Sequence, residues 1–192
     1  MTASTRIDMC RVRLLAFSAA LACAGFAWAD DYGDVGQLIR SGKAVDAIAK
    51  SDQYLAAKPR DPQMRFLKGV AQTDAGRASD AIATFTALNQ DYPELPEPYN
   101  NLAVIYAGQA QFEKARAALE MAVRANPNYA IAYENLGDVY AKLAAQSYVK
   151  AQQLDAANTS IAPKLTLIRQ LFPATVNKPQ AATAAPPAAA AR

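Results

Sequence analysis

The sequence predicts an all-α solenoid of antiparallel helix pairs, closing in one long fused helix and a C-terminal capping helix. Three observations lead there. First, chemistry recurs every 34 residues: Pro59, Pro93 and Pro127; Ala47, Ala81 and Ala115; Gly42, Gly76 and Ala110; Gly69, Ala103 and Gly137; Tyr99 and Tyr133. A period of that length marks stacked helical units, none of which can bury its apolar face alone. Second, apolar residues inside each period recur at helical spacing, as in Ala81 with Phe85 and Ala115 with Leu119. Third, no Gly, Pro, Asn or Asp stands between Tyr140 and Leu154, so nothing there tells a helix to stop.

Residues 1–29 read as an export signal. Arg6, Arg11 and Arg13 precede the apolar run LLAFSAALACAGFAWA, and small residues at Ala27 and Ala29 precede Asp30 and Asp31. The run is short for a membrane span, and cleavage is expected after Ala29. A second route would use Leu21-Ala22-Cys23, which resembles the end of a lipoprotein signal and would leave a lipid anchor at Cys23. Ala20 stands where that signal usually has Leu, so the cut after Ala29 is preferred. The expected location is the periplasm or the medium of a bacterium, with no membrane span in the mature chain. Cys10 and Cys23 are the only cysteines, so a chain cut after Ala29 has no disulfide.

The repeat domain is expected over 30–172, with repeats at about 28–61, 62–95 and 96–129, a partial fused repeat at 130–157 and a capping helix at 159–172. In each repeat Gly69, Ala103 or Gly137 lies midway along a first helix, where a second helix crosses closely and a larger side chain would overpack. Gly42, Gly76 and Ala110 fall between the two helices, where the chain reverses. Pro59, Pro93 and Pro127 end the second helices, because proline pushes the residue before it out of helical geometry. The first repeat keeps the pattern only in its second half, so its first helix is expected to be short or frayed. Tyr92-Pro93-Glu94-Leu95-Pro96-Glu97-Pro98 reads as a stiff connector, with Glu94 and Glu97 on a solvated face.

The columns together resemble the tetratricopeptide repeat. Residues 96–129 match it best, through Tyr99, Leu102, Ala103, Tyr106, Ala115, Leu119, Ala122 and Pro127. Residues 62–95 match through Gly69, Gly76, Ala81, Phe85 and Pro93, and depart at Arg65 and Gln72, which occupy aromatic columns. The resemblance covers about residues 31–157. It implies curved stacking in which the first helices line a concave groove for a peptide or a partner's helix.

After Tyr140 the next helix's Ala comes four positions on, at Ala144, rather than after a full connector. The apolar stripe Tyr133, Leu136, Gly137, Tyr140, Leu143, Ala144, Ser147, Tyr148, Ala151 and Leu154 runs on without a break. One helix is therefore expected from about Ala130 to Leu154, roughly 37 Å long. Asn158-Thr159-Ser160 supplies a turn and an N-cap, and Ile161, Leu165, Ile168 and Leu171 share one face of a final helix. Residues 173–192 are Ala and Pro with little to bury, the composition of a disordered tail.

Several function classes drop out. Histidine is absent, which with the cysteine count removes Ser-His-Asp and Cys-His catalysis and every His-based metal site. No paired carboxylates or Ser-Lys arrangement stands out, so no enzyme activity and no cofactor are expected. The chain has 20 basic and 17 acidic residues, and 1–29 hold Arg6, Arg11 and Arg13 against Asp8. The near-neutral remainder has no footprint for nucleic acid. The expected role is a protein- or peptide-binding scaffold of the cell envelope. By their place in the resemblance, the groove candidates are Phe66, Val70 and Thr73; Asn100, Asn101 and Val104; and Glu134, Asn135 and Asp138. Asn101 and Asn135 share one repeat position, where an amide suits a passing peptide backbone. Relatives that clamp a terminal carboxylate use Lys and Arg where this chain has Phe66, Ile131 and Asn135, so that clamp is not expected. The alternative role is a structural or homo-oligomerising piece that uses the long C-terminal helix.

Overall fold

The structure, a computed structural model, describes residues 27–172, with side chains from Asp31 onward. Most of the expected export signal, with Cys10 and Cys23, and the Ala/Pro tail at 173–192 lie outside the described residues. The described residues form eight helices: α1 (Ala27–Arg40), α2 (Ala44–Ala57), α3 (Pro62–Asp74), α4 (Ala78–Asp91), α5 (Pro96–Gly108), α6 (Phe112–Ala125), α7 (Ala130–Leu154) and α8 (Ile161–Leu171).

Helix boundaries fall where the repeated residues put them. Asp61 caps α3 by accepting the Met64 N–H at 2.8 Å, and Pro62 opens the helix where an N–H would have no partner. Lys58, Tyr92 and Asn126 each precede a proline and leave helical geometry, with φ of −136°, −136° and −139°. Between the helices of a pair, Gly42, Gly76 and Ala110 take φ of 74°, 73° and 56°. Two repeats thus meet a left-handed backbone with glycine, and the third meets it with alanine at a steric cost.

Stacking follows one rule. Each helix packs on its neighbours in sequence, and the odd-numbered helices also touch one another: α1 on α3, α3 on α5, α5 on α7. Among the described helices α2, α4 and α6 make no such contacts with each other, so the odd layer is the tighter, inner one. The core divides accordingly into clusters that each join one helix pair to the next first helix. Val35, Ala47, Met64 and Ala71 bridge α1, α2 and α3. Phe66, Ala81, Phe85 and Leu102 bridge α3, α4 and α5. Ala103, Leu119, Leu136 and Val139 bridge α5, α6 and α7.

Side-chain volumes are matched across each pair. A Cβ built on Gly69 would lie 2.5 Å from the Phe85 ring, so glycine makes room for the phenyl group. The third repeat answers with Ala103 and Leu119, and the first with Val35 and Ser51, all fully buried. In repeats 2 and 3 the small residue sits on the first helix and the larger on the second, while the first repeat reverses the order; each keeps the crossing filled, as close packing demands.

The first repeat corrects an expectation. Its first helix is not short: α1 has 14 residues, tied down by the buried Val35 and by Tyr32, whose hydroxyl donates to Asp61 at 2.6 Å. The two departures in repeat 2 are accommodated by polar pairing. Arg65 meets Asp91 at 2.6 Å, and the buried Gln72 accepts from Thr84 at 2.7 Å. Glu97 also departs from expectation: it is half-buried, whereas Glu94 is exposed.

Helix α7 runs unbroken for 25 residues, as the missing breakers predict. Helix α8 then packs on α7, burying Ile161 and Leu165, with Lys164 Nζ 5.3 Å from the Tyr148 ring centre and Lys142 Nζ 3.8 Å from that of Phe172. It therefore returns antiparallel along the second half of α7 and stops beside Lys142. The expected N-cap takes another form. The Ser160 side chain bonds no helix N–H; instead Asn158 Oδ1 accepts the Ser160 N–H at 3.1 Å and its hydroxyl at 2.7 Å. Gly137 is the sharper correction. Nothing lies within 4 Å of a Cβ built there, because no second helix crosses it.

Candidate protein-interaction surface

The inner wall is built by α1, α3, α5 and α7, and the nine groove candidates all stand on the last three. The structure divides them. Phe66 is fully buried and Val70 and Val104 nearly so. Phe66 packs on Phe85 with ring centres 5.7 Å apart, and Val70 joins the same cluster. These three belong to the core and present no open apolar pocket; an i, i+4 pair such as Phe66 and Val70 falls on the seam where α4 and α5 converge on α3.

The asparagines are buried as well. Asn135 Nδ2 donates to Asn100 Oδ1 at 2.8 Å, joining α7 to α5 across the inner layer, and Asn101 is 3% exposed. An amide pair satisfied in this way fixes the stagger of two first helices, since a buried polar group without a partner is costly. The sequence singles out Asn101 and Asn135 as equivalents, yet the bond runs between Asn135 and Asn100. Only the tertiary stagger of the two helices decides which residues meet.

Three candidates remain at the surface. Thr73 is half-buried and returns its hydroxyl to the Gly69 carbonyl at 2.9 Å. Glu134 and Asp138 are exposed, one helical turn apart on α7. The Asp138 carboxyl is raised above its ordinary range, first by partial burial and then by the Glu134 charge, with Lys142 opposing. The α7 end of the wall is thus acidic, and a cation set between the two carboxylates would relieve their repulsion.

Two features escape a reading of the sequence. Tyr133 and Tyr140 are 50% and 48% exposed on either side of Gly137. Their equivalents one repeat earlier, Tyr99 and Tyr106, pack into the α5–α6–α7 cluster. The signal for this was the missing connector, which removes the helix that would cover them. Further inside, Glu97 Oε2 and Tyr129 OH are buried without a hydrogen-bond partner. Burial raises the Glu97 carboxyl, and burial followed by the Glu97 charge pushes the Tyr129 phenol up to about 12. Among the described residues no group of three or more His, Cys, Asp or Glu could hold a metal, and no helix is long and apolar enough to cross a membrane.

Comparison with known proteins points the same way as this geometry. Residues 72–143 match the tetratricopeptide repeat family model. The tetratricopeptide repeat domain-containing protein PYG7 of Arabidopsis thaliana chloroplasts is 42% identical over 52 residues, 27% of this chain and 17% of that protein. Among solved structures, MamA superposes with a TM-score of 0.53 at 23% identity, over 70% of this chain and 81% of that one. The type III secretion translocator chaperone SycD of Yersinia enterocolitica gives 0.50 at 14% identity, over 79% and 92%. At such identities the two structures share the fold and nothing finer.

Proposed function

This chain is a tetratricopeptide-repeat protein, and from that premise we propose that it is a non-enzymatic scaffold of the bacterial cell envelope, binding a peptide or protein along its inner wall. One observation supports the reading above the others. The odd-numbered helices form a continuous inner layer whose α7 end exposes Glu134 and Asp138, with the fold held by other residues. A surface free of structural duty can be given over to a partner. The partner's chemistry follows from the charge: an extended or helical segment with Lys or Arg at the point that meets α7. Envelope location rests on the export-like residues 1–29.

The test pairs two measurements. Sequencing the mature N-terminus from fractionated cells should give Asp30 in the periplasmic fraction or the medium; an uncut cytoplasmic chain would remove the envelope from the reading. Affinity recovery from envelope extract should lose its main partners when Glu134→Lys and Asp138→Lys are combined, with helicity unchanged. Equal recovery by both forms would take the inner wall's acidic end out of the mechanism.

A further inference from the structure

We propose that the stripe Tyr133, Gly137 and Tyr140 on α7 is a docking site for one amphipathic helix of a partner protein, seated with an aromatic side chain over Gly137. The site lies beside the inner wall, and the inference does not depend on groove binding.

In repeat 3 the residues one period earlier, Tyr99, Ala103 and Tyr106, are covered by α6. In repeat 4 the chain does not turn back. Helix α8 covers only the later half of α7 and stops beside Lys142, leaving the stripe bare. The seam that runs through every earlier repeat thus ends in a half-built pair, a continuation of an interface already present in the molecule.

Volume matching states what would complete it. Gly69 receives Phe85, and Ala103 receives Leu119. Gly137, with nothing within 4 Å of its Cβ position, is shaped for a large ring. The occupant is then a helix antiparallel to α7, with a small residue four positions before the aromatic and Leu or Ala three after. Ala81-Phe85-Leu88 and Ala115-Leu119-Ala122 show that pattern in this chain.

Among the described residues no spare copy of that helix stands open; Ala22, Phe26 and Ala29 carry the same spacing, but within the export-like segment that cleavage after Ala29 would remove from the processed chain. The α4 and α6 copies are fully buried in the core. Ala144, Tyr148 and Ala151 repeat the pattern on α7 itself, but all three are half-buried under α8, with Lys164 set over the Tyr148 ring. A second copy could offer them only by losing its own α8. The tail at 173–192 contains no aromatic residue and no Leu, Ile or Met. For the processed chain, a helix from a different protein is the occupant that remains.

The probe is the chain's own α4 supplied in trans: a peptide of residues 78–91 with Ser79→Lys and Ala83→Asp joined as a lactam on its exposed side, titrated into the processed chain and followed by amide NMR. Saturable binding is expected, with shifts centred on Tyr133, Gly137 and Tyr140. Affinity should fall at least about tenfold for the Phe85→Ala peptide, and likewise for the Gly137→Leu protein. A Cβ at Gly137 has nothing within 4 Å in the unbound fold, so the unfolding midpoint of Gly137→Leu serves as a control and should not drop. No binding up to about 1 mM peptide, or binding indifferent to both changes, would overturn the proposal. So would light scattering that shows a dimer of the chain alone which Gly137→Leu dissociates, since the stripe would then belong to a second copy.

Discussion

The ring of Phe85 occupies the space that a side chain at Gly69 would need: a Cβ there would come within 2.5 Å of Cε1 and 2.6 Å of Cζ. Phe85 is itself fully buried and cannot swing aside. Gly69→Ala should therefore destabilise by about 1–3 kcal/mol despite alanine's better helix propensity. Phe85→Ala should cost about 3–5 kcal/mol. In the Phe85→Ala background the Gly69→Ala penalty should vanish, and a cycle of urea unfolding measurements checks this coupling.

Gly137 occupies the same repeat position with the opposite surroundings. Gly137→Ala adds a methyl to open space in mid-helix, so the unbound protein should gain about 1 kcal/mol. A loss measured by chemical unfolding would mean that another helix covers the site in solution.

Ala110 holds φ of 56° where the two preceding repeats use Gly42 and Gly76. Ala110→Gly relieves that strain at some cost in unfolded-state entropy, for a net gain of roughly 0.5–1 kcal/mol. Thermal unfolding should show a higher midpoint, and a lower one would mean that the turn tolerates alanine freely.

Glu97 makes stability depend on pH in a direction unusual for a carboxylate. Burial raises its folded-state pKa above the unfolded value, so the folded chain holds the proton to higher pH. Its contribution to stability is fully present below the unfolded pKa and is lost as pH rises through the folded one. Glu97→Gln should thus raise the melting temperature relative to the parent at pH 7 and leave it nearly unchanged at pH 3. An equal shift at both would show that the carboxyl's charge is not what matters.

Asn135→Ala removes the buried amide that donates to Asn100 Oδ1. A loss of about 1–3 kcal/mol is expected. Any drop in partner binding by this variant should track its stability and be restored by cooling. Binding lost at full stability would return Asn135 to the groove.

The sequence by itself determined the repeat, its period, the placing of turns and terminators, and the fusion of the last unit. These are local decisions: a proline ends a helix, a glycine allows a left-handed turn, and thirteen residues without a breaker keep α7 going from Ala141 to Gln153. Tertiary structure decided which face each residue meets. Phe66, Val70 and Val104 were buried, and Asn135 met Asn100, because burial depends on how neighbouring helices stagger. The contrast between Gly69 and Gly137 shows the division most plainly. The two occupy equivalent letters of one repeat, yet the first lies under a ring and the second under nothing, since packing is a property of what comes back to cover a residue, and only the folded chain settles what returns.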